Sequence, residues 1–161
     1  MYRRGERAIA WSLVTLQMLL LAGLLGLPGG RVWSAPGWLI AVSAGAIAVA
    51  AVVAVAGALR LGSGLTASPL PSPGAQLRTA GVYACVRHPI YSALLLGGAA
   101  VVVLSGRASR VWVWLALLGL LWLKTRLEER ELTARFPGYR TYAAATPRLV
   151  PNPLRCWKRP A

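Results

Sequence analysis

The sequence predicts an all-α integral membrane protein with about four transmembrane helices. Three observations carry this expectation. Apolar runs close to twenty residues long recur along the 161-residue chain, and about twenty apolar residues cross a bilayer as a helix. The 18 Lys and Arg residues and 4 acids flank these runs rather than interrupt them, and aspartate is absent. The stretches rich in Gly and Pro fall between the runs, where helices must stop.

Composition also excludes several classes. A formal net charge of +14 would suggest a nucleic-acid partner in a soluble protein. Here the charges border apolar spans, so the expected partners are anionic lipid headgroups and not nucleic acid. One His and two distant Cys do not make a usual zinc site, so no metal is expected. No glycine-rich strand-to-helix fingerprint marks a dinucleotide domain. No carboxylate lies inside a span, which disfavours a proton-coupled transporter or channel. Cys85 and Cys156 follow neither a metal nor a disulfide pattern and read as ordinary thiols on the reducing side.

In chain order, Arg3, Arg4 and Arg7 precede an apolar segment at 8–27, longer than the core of a secretory signal and so read as a retained first span. Pro28-Gly29-Gly30 breaks it, and Trp33 and Trp38 suit the headgroup level. The second span covers 38–59, where Ala46, Ala50, Ala54 and Ala58 form a small-residue row that lets another helix approach. Residues 62–76, with Pro69, Pro71 and Pro73, read as an extended loop. The third span runs from Pro89 to Ser105, and a tight turn at 106–110 follows. The fourth begins near Val111, leaves the bilayer at Lys124 and continues as one helix to Phe136, where Pro137-Gly138 stops it. Four spans put both termini on one side, together with fifteen of the eighteen basic residues and the 60–88 loop. The positive-inside rule makes that side cytoplasmic. The expectation is a single membrane domain over 1–161, with two N-terminal spans in 1–60 and a second unit at 75–151.

Two polar clusters could carry chemistry. Gly81-Val82-Tyr83-Ala84-Cys85-Val86-Arg87-His88-Pro89-Ile90-Tyr91 holds the only histidine, and Pro89 suits the first turn of a helix. The free amides of that turn would lie beside Arg87 and His88, as a capped helix start or as a seat for an anion. Glu128, Glu129 and Glu131 lie at the same membrane depth. Local pairs of Glu131 with Arg135 and of Glu129 with Arg126 would make them a solvated helix turn. Those pairs leave Glu128 less well explained, since Lys124 precedes it by four residues in the weaker orientation, and Glu128 shares a face with Glu131, so at least one of the two could turn inward. An anion-binding cluster and an acidic one at the same interface suit a zwitterion such as an amino-acid group.

Gly81-Val82-Tyr83, Arg87-His88-Pro89-Ile90-Tyr91, and Glu128-Glu129 with Leu132, Phe136, Tyr139 and Tyr142 resemble the isoprenylcysteine carboxyl methyltransferase family over about residues 75–151. Phospholipid N-methyltransferases share the same core pattern. The resemblance implies a membrane-embedded enzyme with a cytoplasmic-face site for S-adenosyl-L-methionine (SAM). By motif match the cofactor would be bound by Tyr83, His88, Pro89, Ile90, Tyr91 and Glu128, with Glu129 as the alternative acidic contact. Gln76, Leu77 and Arg78 fall where the family places further cofactor contacts. Lys124 stands where many members carry an arginine near the methyl acceptor, and it loses the planar guanidinium fork. Ala93 replaces a frequent glycine. Arg148, in Thr146-Pro147-Arg148, resembles a position near the reacting groups, so Lys124 and Arg148 are the catalytic candidates. The implied acceptor is a lipophilic or prenylated molecule, a carboxylate of the isoprenylcysteine type or alternatively a phospholipid amine or a thiol. The implied location is a bacterial-type cytoplasmic membrane. A four-span structural or interaction protein is the rival from another class.

Overall fold

Helix α1 (Arg4–Gly26) starts in the basic N-terminal segment and stops before Pro28, Gly29 and Gly30. The chain resumes regular structure after Pro36 as α2 (Gly37–Leu61), which runs into a 3-10 turn at Gly62–Gly64. The described residues of 65–81 form no helix or strand, as the proline content predicts. A single turn, α3 (Val82–Cys85), leads into α4 (Pro89–Ser105), α5 (Ala108–Arg135) and the short α6 (Tyr139–Ala145). The computed structural model describes residues 4–72, 74–151 and 156. Among them there is no strand, only an isolated bridge between Arg31 and Arg107.

The helix limits follow from local chemistry. Pro89 takes the first helical position of α4, where its missing N–H has no consequence. Gly106 ends the helix in the left-handed region at φ 65° and donates its N–H to the Val102 carbonyl at 3.2 Å. A side chain at Gly106 would collide with the Trp33 carbonyl. The turn is tied to the α1–α2 connection by Val32 N–H to the Gly106 carbonyl (2.7 Å), Trp33 Nε1 to Val103 (3.1 Å) and Arg110 Nη2 to Leu25 (2.7 Å). Trp33 is thus held by protein backbone, whereas Trp38 is exposed.

Helix α4 is the central element. It packs along α2 and also touches α5 and α1, while α1 lies mainly on α5. The face of α2 that meets α4 is made of small residues. Ser43, Ala50 and Gly57, seven apart, are its buried members, with Ala46, Ala54 and Ala58 partly buried beside them. A Cβ at Gly57 would lie 3.1 Å from Ile90 and 3.3 Å from Pro89, so the glycine is what lets the start of α4 sit against α2. Tyr91, Leu117 and Leu121 form the buried cluster under this layer, surrounded by Leu20, Leu21, Leu94 and Leu95. The outer faces remain apolar, with Trp38, Val52, Leu59 and Trp112 exposed.

Three helical segments, Arg4–Gly26, Gly37–Gly64 and Ala108–Arg135, are long and apolar enough to cross a membrane. The apolar helix Pro89–Ser105 has 17 residues and is shorter than these. The cysteine reading needs correction, because the structure joins Cys85 and Cys156 in a disulfide with Cα atoms 4.6 Å apart. A separation of 71 residues left no local signal of this pairing. The bond places Cys156 beside α3.

The close α2–α4 approach makes a direct prediction. Gly57→Leu should lower stability by about 1–3 kcal/mol through overpacking against Pro89 and Ile90. Gly45→Leu, where nothing lies within 4 Å, should have little effect. Thermal unfolding of both variants in detergent makes the comparison.

Candidate active site

The site grows from the joint between α3 and α4. Gly81, at φ 64°, turns the chain into α3 against the Arg60 guanidinium. The turn buries Tyr83, whose hydroxyl donates to the Gly57 carbonyl at 3.3 Å, while the Tyr142 hydroxyl donates to the Tyr83 carbonyl at 2.7 Å. Val86 is extended and breaks the helix before the next one begins. The tail then runs alongside this joint. Arg87 N–H donates to the Pro147 carbonyl (2.9 Å), His88 N–H to Arg148 (3.2 Å) and Ser92 Oγ to Leu149 (2.6 Å). The first-turn amides of Ile90 and Tyr91 have no acceptor within their helix.

Glu129 of α5 gathers the polar groups behind the joint. It is 9% exposed and takes a two-pronged bond from Arg148, Nε to Oε1 at 2.9 Å and Nη2 to Oε2 at 2.6 Å. His88 Nε2 lies 3.1 Å from the same Oε1, and Arg87 Nη1 lies 3.2 Å from it. Hydrogen bonding to Glu129 raises the Arg148 guanidinium above its already high ordinary value. Arg126, the expected local partner of Glu129, lies instead over the Trp122 ring at 4.4 Å. The acid that turns furthest inward is therefore Glu129.

Glu128 points the other way. Its Oε2 lies 3.6 Å from His88 Nδ1, and its charge bears on the Tyr91 hydroxyl. The His88 ring stacks on Tyr91 with centroids 5.6 Å apart. The imidazole thus sits between two carboxylates. Lys124 is fully buried, and its ammonium donates to Gln17 Oε1 and to the Ala67 carbonyl (2.9 Å), 5.3 Å from the Tyr91 ring centroid. It joins α5 to α1 and to the 65–81 loop.

These elements enclose a cavity of about 390 Å³, within the roughly 300–1,000 Å³ of small-molecule sites. Gln76, Leu77, Arg78, Tyr83, His88, Pro89, Ile90, Tyr91 and Glu128 all contribute to its wall. Glu129, Lys124 and Arg148 do not; they lie behind the wall, linked to it through His88, Gln17 and Ala67. Arg87, Tyr139 and Tyr142 add polar groups to the wall, and Leu132 adds an apolar one. Gln17 was missed in the sequence, although a glutamine inside an apolar span is costly without a partner and so marks itself. Burial, reinforced by Glu128, holds the Tyr83 phenol well above its ordinary range, and burial reinforced by Glu129 does the same for Tyr139. Both are hydrogen-bond donors at neutral pH. Among the described residues no three His, Cys, Asp or Glu side chains come together as a metal site.

A bundle of apolar helices with a mixed polar and apolar cavity at one end defines a membrane protein with a small-molecule site. The model of the isoprenylcysteine carboxyl methyltransferase (ICMT) family matches residues 38–134, more than half of the chain. The chain belongs to that family of membrane methyltransferases. No curated protein and no solved structure matches it. The match begins at Trp38 and so takes in α2, which the motif comparison had left out. It ends at Ala134, before Tyr139, Tyr142 and Arg148.

Removing the charge at the centre of the buried cluster should be severe. Glu129→Gln leaves Arg87 and Arg148 without their carboxylate, and losing one partner of a buried ion pair costs about 3–5 kcal/mol. Glu131→Gln, at a partly exposed position, should cost no more than about 0.5 kcal/mol. Chemical denaturation of the two proteins side by side checks the ranking.

Proposed function

We propose that this protein uses SAM to methylate a lipophilic acceptor at the cytoplasmic face of the membrane, the acceptor being a carboxylate of the isoprenylcysteine type. The observation that carries the proposal is the meeting of the His88-Pro89 helix start with Glu128 in the wall of one cavity. These are the two motifs that resemble the family's cofactor site, and they lie 40 residues apart in sequence. The residues present fit such a ligand. The wall offers one carboxylate, the guanidinium groups of Arg78 and Arg87, a buried tyrosine hydroxyl and apolar surface from Leu61, Ile90 and Leu132. When bound, the cofactor supplies a sulfonium methyl that a nucleophile can displace in line.

The chain's own residues bind, orient and exclude water. Gln76, Leu77, Arg78, Tyr83, His88, Pro89, Ile90, Tyr91 and Glu128 would hold the donor. Glu129 stands behind His88 and fixes its ring, so its part is positioning. A carboxylate acceptor and a sulfonium neutralise each other as they react, so little acid–base machinery is required. Placement in a site shielded from water then supplies much of the rate. Lys124 and Arg148 are the cations that the motif places nearest the acceptor. Lys124 is bonded to Gln17 and Ala67, and Arg148 Nε and Nη2 to Glu129, so they act on it mainly through charge and through the wall they brace. That engagement also favours a second reading, in which the acceptor is a phospholipid amine or a thiol and needs no clamp for a carboxylate.

In this proposal α4 is the fourth span, its 17 residues standing at the lower edge of the roughly 17–25 that cross a bilayer. Both termini and the cavity then face the basic, cytoplasmic side. The Cys85–Cys156 pair would lie in a reducing compartment, where such bonds are normally open.

Calorimetric titration of SAM into the purified protein tests donor binding. Glu128→Gln should weaken it roughly ten- to a hundred-fold, the cost of one charge-assisted hydrogen bond. Radiolabelled methyl transfer to a panel of prenylcysteine carboxylates, phospholipid amines and thiols then identifies the acceptor. Folded protein that binds no SAM and labels no acceptor would leave a structural membrane protein as the better account.

A further inference from the structure

Two groups in the cavity wall have no partner to account for them. Tyr139 is only 2% exposed and lines the cavity, and its hydroxyl makes no hydrogen bond. Arg87 Nε, in the same wall, is also buried and unbonded. The Arg87 guanidinium lies near the Tyr139 hydroxyl and influences it, but not in hydrogen-bonding geometry. A buried donor left unbonded is costly, and native proteins carry few of them without a reason. Tyr139 is held in place all the same. Its N–H donates to the Phe136 carbonyl at 3.0 Å, and its ring meets Tyr142 edge-on.

The rest of the polar wall narrows what these donors are for. Both nitrogens of His88 face carboxylates, Nδ1 towards Glu128 and Nε2 towards Glu129, so this ring has no donor to spare for a third. Arg78 lines the cavity but is exposed to solvent, where its charge is screened. Glu128 is the one carboxylate in the lining and suits a cationic group. The cavity thus has an acidic side at Glu128 and a donor side at Arg87 and Tyr139.

We propose that the Tyr139 hydroxyl and the Arg87 side chain form the subsite for the carboxylate of an amino-acid-bearing ligand, here the methionine carboxylate of SAM. The assignment rests on the donor-site reading of the cavity. The phenol O–H and the Arg87 Nε–H donate to one anion, whose ammonium neighbour turns towards Glu128. The Tyr139 hydroxyl and Arg87 Nε have no other partner, while Arg87 Nη1 is held by Glu129. Tyr139 also lies beyond the stretch that matches the family, so nothing in that match assigns it this role.

The test uses the full-length protein in detergent with two probes. S-adenosylhomocysteine carries the amino-acid end; 5′-methylthioadenosine keeps the nucleoside and sulfur but lacks that end. Tyr139→Phe should weaken S-adenosylhomocysteine roughly ten- to a hundred-fold, as expected for losing a bond to a charged group. Binding of 5′-methylthioadenosine should be unchanged. The thermal midpoint of the ligand-free variant should not fall, because the substitution removes an unbonded buried hydroxyl. Unchanged affinity for S-adenosylhomocysteine overturns the assignment. So does equal weakening of both probes, which would place the hydroxyl on the nucleoside, and so does a lowered midpoint, which would make its role structural. Wild-type protein that binds neither probe removes the donor-site reading and this subsite with it.

Discussion

The Glu129 carboxylate is the interaction on which the site depends. It lies on α5, where the helix passes from an apolar to a charged sequence, and it receives Arg148, His88 and Arg87 together. Three segments far apart in sequence meet there: the start of α4, the charged end of α5 and the tail. Desolvating an ion pair is expensive, and such a pair contributes only when its hydrogen bonds are complete. The two-pronged bond from Arg148 helps meet that condition. The backbone bonds of residues 147 and 148 to Arg87 and His88 hold the tail in register for it.

Fixing Glu129 has consequences for its neighbours. With His88 Nε2 held from behind, the other face of the imidazole is presented to Glu128 at the cavity wall. Tyr91 stacks on the ring. Below it, Lys124 joins α1 and the 65–81 loop to α5, so that the loop closes one side of the cavity. A buried ammonium with neutral acceptors is a costly arrangement in a membrane protein. The aromatic face of Tyr91 offsets part of that cost. Gly57 completes the frame by letting α2 meet the first turn of α4.

Much of this was legible in the sequence where a local rule governs. Pro89 marked the start of α4, Gly106 its end, and the unbroken helical pattern past Lys124 marked α5 as one helix. The proline-rich loop and the small-residue face of α2 were readable for the same reason. The tertiary partners were not. Helical spacing paired Glu129 with Arg126, but Arg148 and His88 reach it from other elements and Arg126 stacks on Trp122 instead. The motif set Lys124 near the acceptor, but its burial and its bonds to Gln17 and Ala67 were not visible in the sequence. The pairing of Cys85 with Cys156 depends on the path of the tail, which no local spacing encodes. The membrane-crossing count depends on length, and α4 is shorter than the three helices that clearly suffice.

The central claim is that Glu129 and Arg148 act as one unit that ties the tail to the helix joint. A double-mutant cycle with Glu129→Gln, Arg148→Gln and the double variant, read by denaturant unfolding in detergent, measures it directly. The two substitutions should be strongly non-additive, with a coupling of about 1–3 kcal/mol. A coupling near zero, with each substitution contributing its full effect independently, would contradict the account.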